Sequence, residues 1–339
     1  MGKVFPELVS SNVIKKSAKP ILTADDMPYE ASLIFNAGVI KRDGKYIMVF
    51  RNDYGVDEEH FIPGINSFKG TSVGIAVSDN GVDGWTVMKK PLIDSHEVRE
   101  KNSEIHRLYD PRITEIEGKL YLCLAADTNH GIRGAIASVS DTLDSYEIIS
   151  MSVPDNRNMA LFPEKIGGNF LRLERPMPVY SRGRDRFDMW LSKSADLKFW
   201  GESELIIGVE DVPYANDKVG PAAPPVKTEK GWLTTFHAVD IDNERGKNGW
   251  EPKWAKRYSA GIMLLDLNDP SKVIGIAKEP LIAPDLPYEV DEGFRQNVIF
   301  PGGMILEDSG EVKIYYGASD TYETVATADV NDLLKLCLE

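Results

Sequence analysis

The chain has 339 residues, enough for two average domains or for one large all-β domain with an ample core. Its composition, 42% hydrophobic and 27% charged, is that of a globular protein, and a formal net charge of −14 argues against a nucleic-acid or anionic-membrane partner. Two cysteines, Cys123 and Cys337, imply no disulfide framework; with no signal-peptide core and no apolar run of membrane-spanning length, cytoplasmic residence is the expectation.

Residues 1–30 read as an irregular arm interrupted by Pro6, Pro20 and Pro28. From residue 31 to 339 a two-part unit recurs, and this span is expected to form a single domain. Two β-rich runs meet first at Asp43-Gly44, a strong hairpin signal, and a second apolar pair follows from Ser72 to Val87. The same kind of turn returns at Glu117-Gly118, Gly167-Gly168, Lys230-Gly231 and Ser309-Gly310, at uneven intervals of 50 to 79 residues. A companion apolar run follows each, starting near Gly134, Asp188, Gly261 and Val325. Five units of four strands predict an all-β five-bladed β-propeller, whose blades bury their faces against each other around a central channel. A sandwich with a second domain is the alternative. One helix is expected, the tail from Val330 to Leu338.

Aligning the units shows where chemistry can gather. The residues opening each first strand are Asn36, Asp110, Asn158, Gly220 and Asn297; those closing each second strand include Arg51, Asp53, Asp127, Arg175, His237 and Asp320. Innermost strands of a propeller begin beside the axis, so the openers would ring one funnel. Whether the closers return to that face depends on the hairpins. Polar groups at matching ends of apolar strands are hard to explain as core. The acid stands in Leu108-Tyr109-Asp110-Pro111-Arg112, where Pro111 should push Asp110 toward extended backbone at a rigid strand entrance.

Several motifs together resemble glycoside hydrolase family 130: Leu108 to Arg112, Leu161-Phe162-Pro163-Glu164-Lys165 with Arg175-Pro176, Gly220 to Pro225 with Gly231-Trp232-Leu233 and His237, and Tyr315 to Thr321. The resemblance runs from about Phe35 onward. It implies a five-bladed propeller and an inverting β-mannoside phosphorylase. Asp110 would be the single general acid, protonating the glycosidic oxygen through a hydroxyl of the bound mannosyl unit. Inorganic phosphate, a co-substrate rather than a cofactor, would attack the anomeric carbon from the opposite face. Arg51, Arg175, Lys218 and His237 match phosphate-contacting positions, with Tyr258 as a hydroxyl donor; Asn36 and Asp320 match positions holding mannosyl hydroxyls. Asp53 and Arg112 are further substrate-side candidates, Arg112 also as a partner that orients Asp110. The implied partners are a β-mannoside and phosphate, with self-association left open.

Competing chemistries find little support. No Gly-x-Ser-x-Gly, phosphate-loop or dinucleotide fingerprint occurs, and five scattered histidines show no metal spacing, so no metal or cofactor is expected. Asp79 to Asp83 has part of a calcium-loop pattern without its twelfth-position acid and reads as a turn. A propeller hydrolase working with two or three carboxylates, or a non-catalytic sugar-binding propeller, are the alternatives. Loops 55–69 and 243–256, with Phe61, Trp250 and Trp254, would set the acceptor and could stack on a sugar.

Overall fold

A computed structural model describes residues 7–63, 67–178, 183–243, 245, 249–250 and 255–339. The arm supplies β1 (Lys15–Lys16). The first blade is β2 (Leu33–Arg42), β3 (Lys45–Tyr54), β4 (Gly70–Ser78) and β5 (Thr86–Val87), with β6 (Ile93–Asp94) also paired to β4. After helix α1 (Ser95–Lys101), the second blade is β7 (Ile105–Ile116), β8 (Lys119–Thr128), β9 (Gly131–Val139) and β10 (Tyr146–Met151). The third is β11 (Asn156–Leu161), β12 (Phe170–Pro176), β13 (Met189–Ser194) and β14 (Gly201–Ile207). In the fourth, β15 (Lys218–Pro221) and β16 (Val226–Thr228) share the inner edge of β17 (Gly231–Ile241), followed by β18 (Lys256–Leu265) and β19 (Val273–Ile276). Helix α2 (Pro287–Val290) precedes the last blade, β20 (Ile299–Leu306), β21 (Glu311–Ala318) and β22 (Tyr322–Asp329), and α3 (Val330–Leu338) ends the chain. All five predicted hairpin turns join first to second strands, and the tail helix has the predicted bounds.

The strands are apolar on both faces because every blade is packed between two neighbours. In β8 the residues Leu120, Leu122, Leu124 and Ala126 enter the core shared with the first blade, while Tyr121 and Cys123 enter that shared with the third. Strand alternation thus divides one strand between two cores. Five such cores, one at each interface between blades, account for the buried apolar residues that cluster among the described residues. Helices α1 and α2 were not expected. At seven and four residues they are too short to show a 3.6-residue period in the sequence, and α1 is marked mainly by Asp94 capping the His96 N–H.

The arm is less irregular than its prolines suggest. β1 pairs with β22 as the fourth strand of the last blade, so the two ends of the chain close the ring. Lys16 anchors it: its Nζ lies 2.7 Å from Glu289 Oε2, 2.7 Å from Asp285 and 2.7 Å from the Ala283 carbonyl oxygen. Glu289 is fully buried and also accepts from the Tyr316 hydroxyl at 2.9 Å. Removing one partner of a buried pair strands the other charge. Lys16→Met is therefore expected to cost about 3–5 kcal/mol of unfolding free energy, read from urea denaturation; a loss below about 1 kcal/mol would show that the anchor is not needed for closure.

Candidate active site

The openers line one end of the axis, and their backbone explains how. Asn36, Asp110 and Asn158 have φ of +54°, +52° and +57°, each inside a register break of its inner strand. Asn297, just ahead of β20, has φ of +62°. A bulge with one residue in the left-handed region turns a side chain out of the strand's alternation, and Asn and Asp tolerate that region best. Two expectations for Asp110 are thereby corrected. It sits in mid-strand rather than at a strand entrance, and its backbone is left-handed rather than extended, because the bulge overrides the preference set by Pro111. The fourth opener, Gly220, serves differently: a Cβ there would lie 2.5 Å from His237 Cε1 and 2.7 Å from Arg175 Cδ.

Antiparallel pairing brings the closers back to the same end. Arg51 faces Phe35, Arg175 faces Arg157, and His237 faces Gly220 across their ladders. A cavity of about 90 Å3 results, lined by Asn36, Arg51, Asp110, Arg157, Asn158, Arg175, Tyr258, Arg295, Phe300 and Asp320, with Val298. A larger one, about 700 Å3, lies between the arm and α3, but the acids and bases along it, Glu7, Lys278, Glu279, Asp332, Lys335 and Glu339, are all exposed to solvent.

On one side stands the acid. Asp110 Oδ1 accepts from Asn36 Nδ2 at 3.0 Å and from Arg51 Nη1 at 3.1 Å, which leaves Oδ2 as the oxygen able to carry a proton. Burial would raise this carboxyl, but Arg51, the Asn36 bond and the fields of Arg112 and Arg157 outweigh it and hold it below its ordinary value. Arg51 is itself committed. Its Nε and Nη2 bond Asp53 at 3.1 and 2.6 Å, and its guanidinium lies between the rings of Phe35 and Tyr109 at 4.6 and 4.7 Å. Asp53, 2% exposed, also accepts from Thr71 at 2.6 Å. Asp320 pairs with Arg295 at 3.2 Å, and burial raises its carboxyl despite Arg295 and Arg51.

Opposite lies a basic group. Arg175 Nη1 meets His237 Nε2 at 2.8 Å, while His237 Nδ1 lies 3.1 Å from the Pro221 carbonyl oxygen. That carbonyl can only accept, so Nδ1 carries the ring proton and Nε2 accepts from Arg175. Burial, then Arg175 and Arg112, hold His237 well below its ordinary value, consistent with a neutral ring. Burial and Arg157 pull the Arg175 guanidinium down to about 9. Lys218 Nζ lies 3.5 Å from the Tyr258 hydroxyl; burial, then Arg175 and Lys256, push its ammonium down to about 6.

Several expected residues are therefore brought together, and others are set back. Asn36, Arg51, Asp110, Arg175, Tyr258 and Asp320 reach the cavity, and Lys218 stands beside Tyr258. His237, fully buried, lies behind Arg175. Asp53 and Arg112 were expected on the substrate side and do not reach the cavity wall. Arg112, 1% exposed, donates from Nε to the Ala222 carbonyl at 2.6 Å and from Nη1 to the Asp110 carbonyl at 3.1 Å, tying the Asp110 bulge to the fourth blade. Asp127 bonds Arg107 and the Tyr109 hydroxyl at 2.6 and 2.8 Å, buttressing the ring that Arg51 stacks on. Phe61 and Trp250 pack with Phe68 and Phe294, ring centroids 5.3 to 6.5 Å apart, so their faces are partly occupied by one another. Trp254 lies outside the described residues.

Arg157 was missed. A clue lay in its place: it precedes opener Asn158 as Phe35 precedes Asn36 and Tyr109 precedes Asp110, an arginine where the first two units carry an aromatic ring. Its Nη1 contacts the Tyr109 hydroxyl at 3.4 Å, and it directly faces Arg175. Like charges opposite each other in a ladder destabilise it. The buried Arg157 Nε and Arg175 Nε and Nη2 nevertheless have no acceptor among the described residues. Such an arrangement suits an anion.

Comparison with known proteins agrees in extent. A family model described as beta-1,4-mannooligosaccharide phosphorylase matches residues 19–339. A 1,2-beta-oligomannan phosphorylase of Thermoanaerobacter sp. is 31% identical over 94% of this chain and 97% of its own. A beta-1,2-mannobiose phosphorylase of the same organism is 33% identical, with 92% and 96% covered. In structure, the beta-1,2-mannobiose phosphorylase of Listeria innocua superposes with a TM-score of 0.77 at 24% identity, covering 96% of this chain and 99% of that one, a likeness of fold. With that match reaching from the closing arm to the tail helix, the chain belongs to glycoside hydrolase family 130.

Proposed function

We propose that the protein catalyses inverting phosphorolysis of β-mannosides, releasing α-mannose 1-phosphate and the shortened sugar. The observation that carries this reading is the mutually facing Arg157–Arg175 pair, whose buried donors are left over among the described residues, set opposite the held Asp110 carboxylate, while the cavity's other carboxylate, Asp320, is paired with Arg295. A hydrolase activating water needs a second carboxylate as base. Here the ground opposite Asp110 is basic, as an anionic nucleophile requires.

In this reading Arg157, Arg175, Lys218 and Tyr258 hold phosphate, His237 aims Arg175, and Asn36, Arg51, Asn158 and Asp320 face the mannosyl unit. A phosphate oxygen forms the new bond to the anomeric carbon as the glycosidic bond breaks, and the proton from Asp110 ends on the departing oxygen. Phosphate also explains how an acid held as carboxylate becomes protonated. A bound dianion offsets the field of Arg157 and its neighbours and raises the Asp110 carboxyl. Supplying α-mannose 1-phosphate with a panel of sugar acceptors should release phosphate, and linkage analysis of the products identifies the bond made. Disaccharide cleavage that runs equally fast without phosphate would overturn the proposal in favour of hydrolysis.

Lys218 adds a pH signature. With burial, Arg175 and Lys256 pushing its ammonium down to about 6, Lys218 would take up a proton to hold phosphate at neutral pH. The protonated form dominates below 6 and is lost as pH rises. The phosphate KM should accordingly climb by up to about tenfold per pH unit above 6, and Lys218→Arg, which does not titrate there, should flatten the climb. Identical pH profiles for the two enzymes would exclude Lys218 as the linked group.

A further inference from the structure

Glu323, in β22, is fully buried and faces Gly317 across the ladder with β21. It has no cationic partner among the described residues; burial raises its carboxyl well above the ordinary range, opposed only by one backbone N–H. That N–H belongs to Ala37 and reaches Glu323 Oε2 at 3.0 Å. Ala37 follows Asn36 in the bulge of β2, where its N–H has left the strand ladder and needs another acceptor. In the second blade the corresponding residue is Pro111, which has no N–H to satisfy.

Two buried oxygens near this point have no hydrogen-bond partner among the described residues, Glu323 Oε1 and Asn36 Oδ1. Asn36 Oδ1 lies only 2.5 Å from where a Cβ on Gly317 would stand, and Gly317 is the residue Glu323 faces. Since Asn36 spends Nδ2 on Asp110, its Oδ1 can be satisfied only by a donor. A neutral carboxyl offers one donor and one acceptor, and the site presents one unmet acceptor and one freed N–H.

We infer that Glu323 is a positioning residue, its carboxyl O–H donating to Asn36 Oδ1 while Oε2 holds the Ala37 N–H, so that the Asn36 amide is locked with Nδ2 toward Asp110. Without this lock the amide can turn and set its oxygen against the Asp110 carboxylate. The inference rests on Asp110 as the general acid.

Two substitutions test it. Glu323→Gln keeps a donor and an acceptor, whereas Glu323→Leu keeps only the volume. The glutamine enzyme should retain kcat within about threefold, and the leucine enzyme should fall about ten- to a hundredfold with the phosphate KM unchanged. In the leucine enzyme the limb of the pH profile on which the acid loses its proton should move to higher pH, since Asn36 no longer steadies the carboxylate. Equal losses in both variants, a leucine enzyme as active as wild type, or a parallel rise in phosphate KM would overturn the inference. A measurement that survives failure of the leucine variant to fold is the infrared band of a protonated carboxyl at neutral pH, expected in wild type and absent from Glu323→Gln. Its absence from wild type would also overturn the inference. That band does not depend on turnover, so an active Asp110→Asn enzyme would remove the functional reading while leaving the state of Glu323 measurable.

Discussion

Asp110→Asn should lower kcat for a β-mannosyl disaccharide by about a thousandfold, within the range expected for loss of a positioned general acid. The substitution is nearly isosteric, and an asparagine Oδ1 can still accept from Asn36 and Arg51, so the fold and the basic group opposite should persist. What is lost is the proton carried on Oδ2. An aryl β-mannoside whose leaving group departs as an anion needs no such proton, and with it the variant should recover most of the wild-type rate. Equal losses on both substrates would assign Asp110 to binding or folding rather than proton donation.

Arg175→Ala should lower kcat/KM for phosphate by about a hundred- to a thousandfold, with a much smaller change in KM for the disaccharide. The size follows from position. Arg175 is 1% exposed, is aimed by neutral His237, and keeps two donors without an acceptor among the described residues. A charged donor in so dry a site is worth more than one in water. Phosphate should raise the melting temperature of wild type, because a ligand that binds only the folded state stabilises it, and that rise should vanish in the variant. A variant that phosphate still stabilises fully would move the anion site away from Arg175.

How far the sequence could be read differs from one feature to the next. The turns at Gly44, Gly118, Gly168, Gly231 and Gly310 were legible because a hairpin turn is a local event with its own residue chemistry. The tail helix was legible for the same reason, through its unbroken run after Asp329. The openers showed as polar residues among apolar strands. Arg157 escaped notice because a lone arginine in a strand looks like a solvated charge until its cross-strand neighbour is known to be Arg175. Glu323 reads in sequence as an ordinary outward residue of an alternating strand, and only the packing of the last blade against the first buries it.

By itself, then, the chain's pattern of turns and strand alternation determined that it is an all-β propeller with five blades, and its strand-end residues pointed to one end of the axis. Tertiary structure alone decided which of those residues touch the cavity and which stand behind it. The left-handed bulges that aim Asn36, Asp110 and Asn158 depend on register between strands, and register is set by pairing, not by either strand alone. The closure of the ring by β1, the burial of Lys16 against Glu289, and the meeting of Arg157 with Arg175 all join residues distant in sequence or unreadable without it. Local propensity carries no information about such contacts, because their energy exists only once the blades have packed.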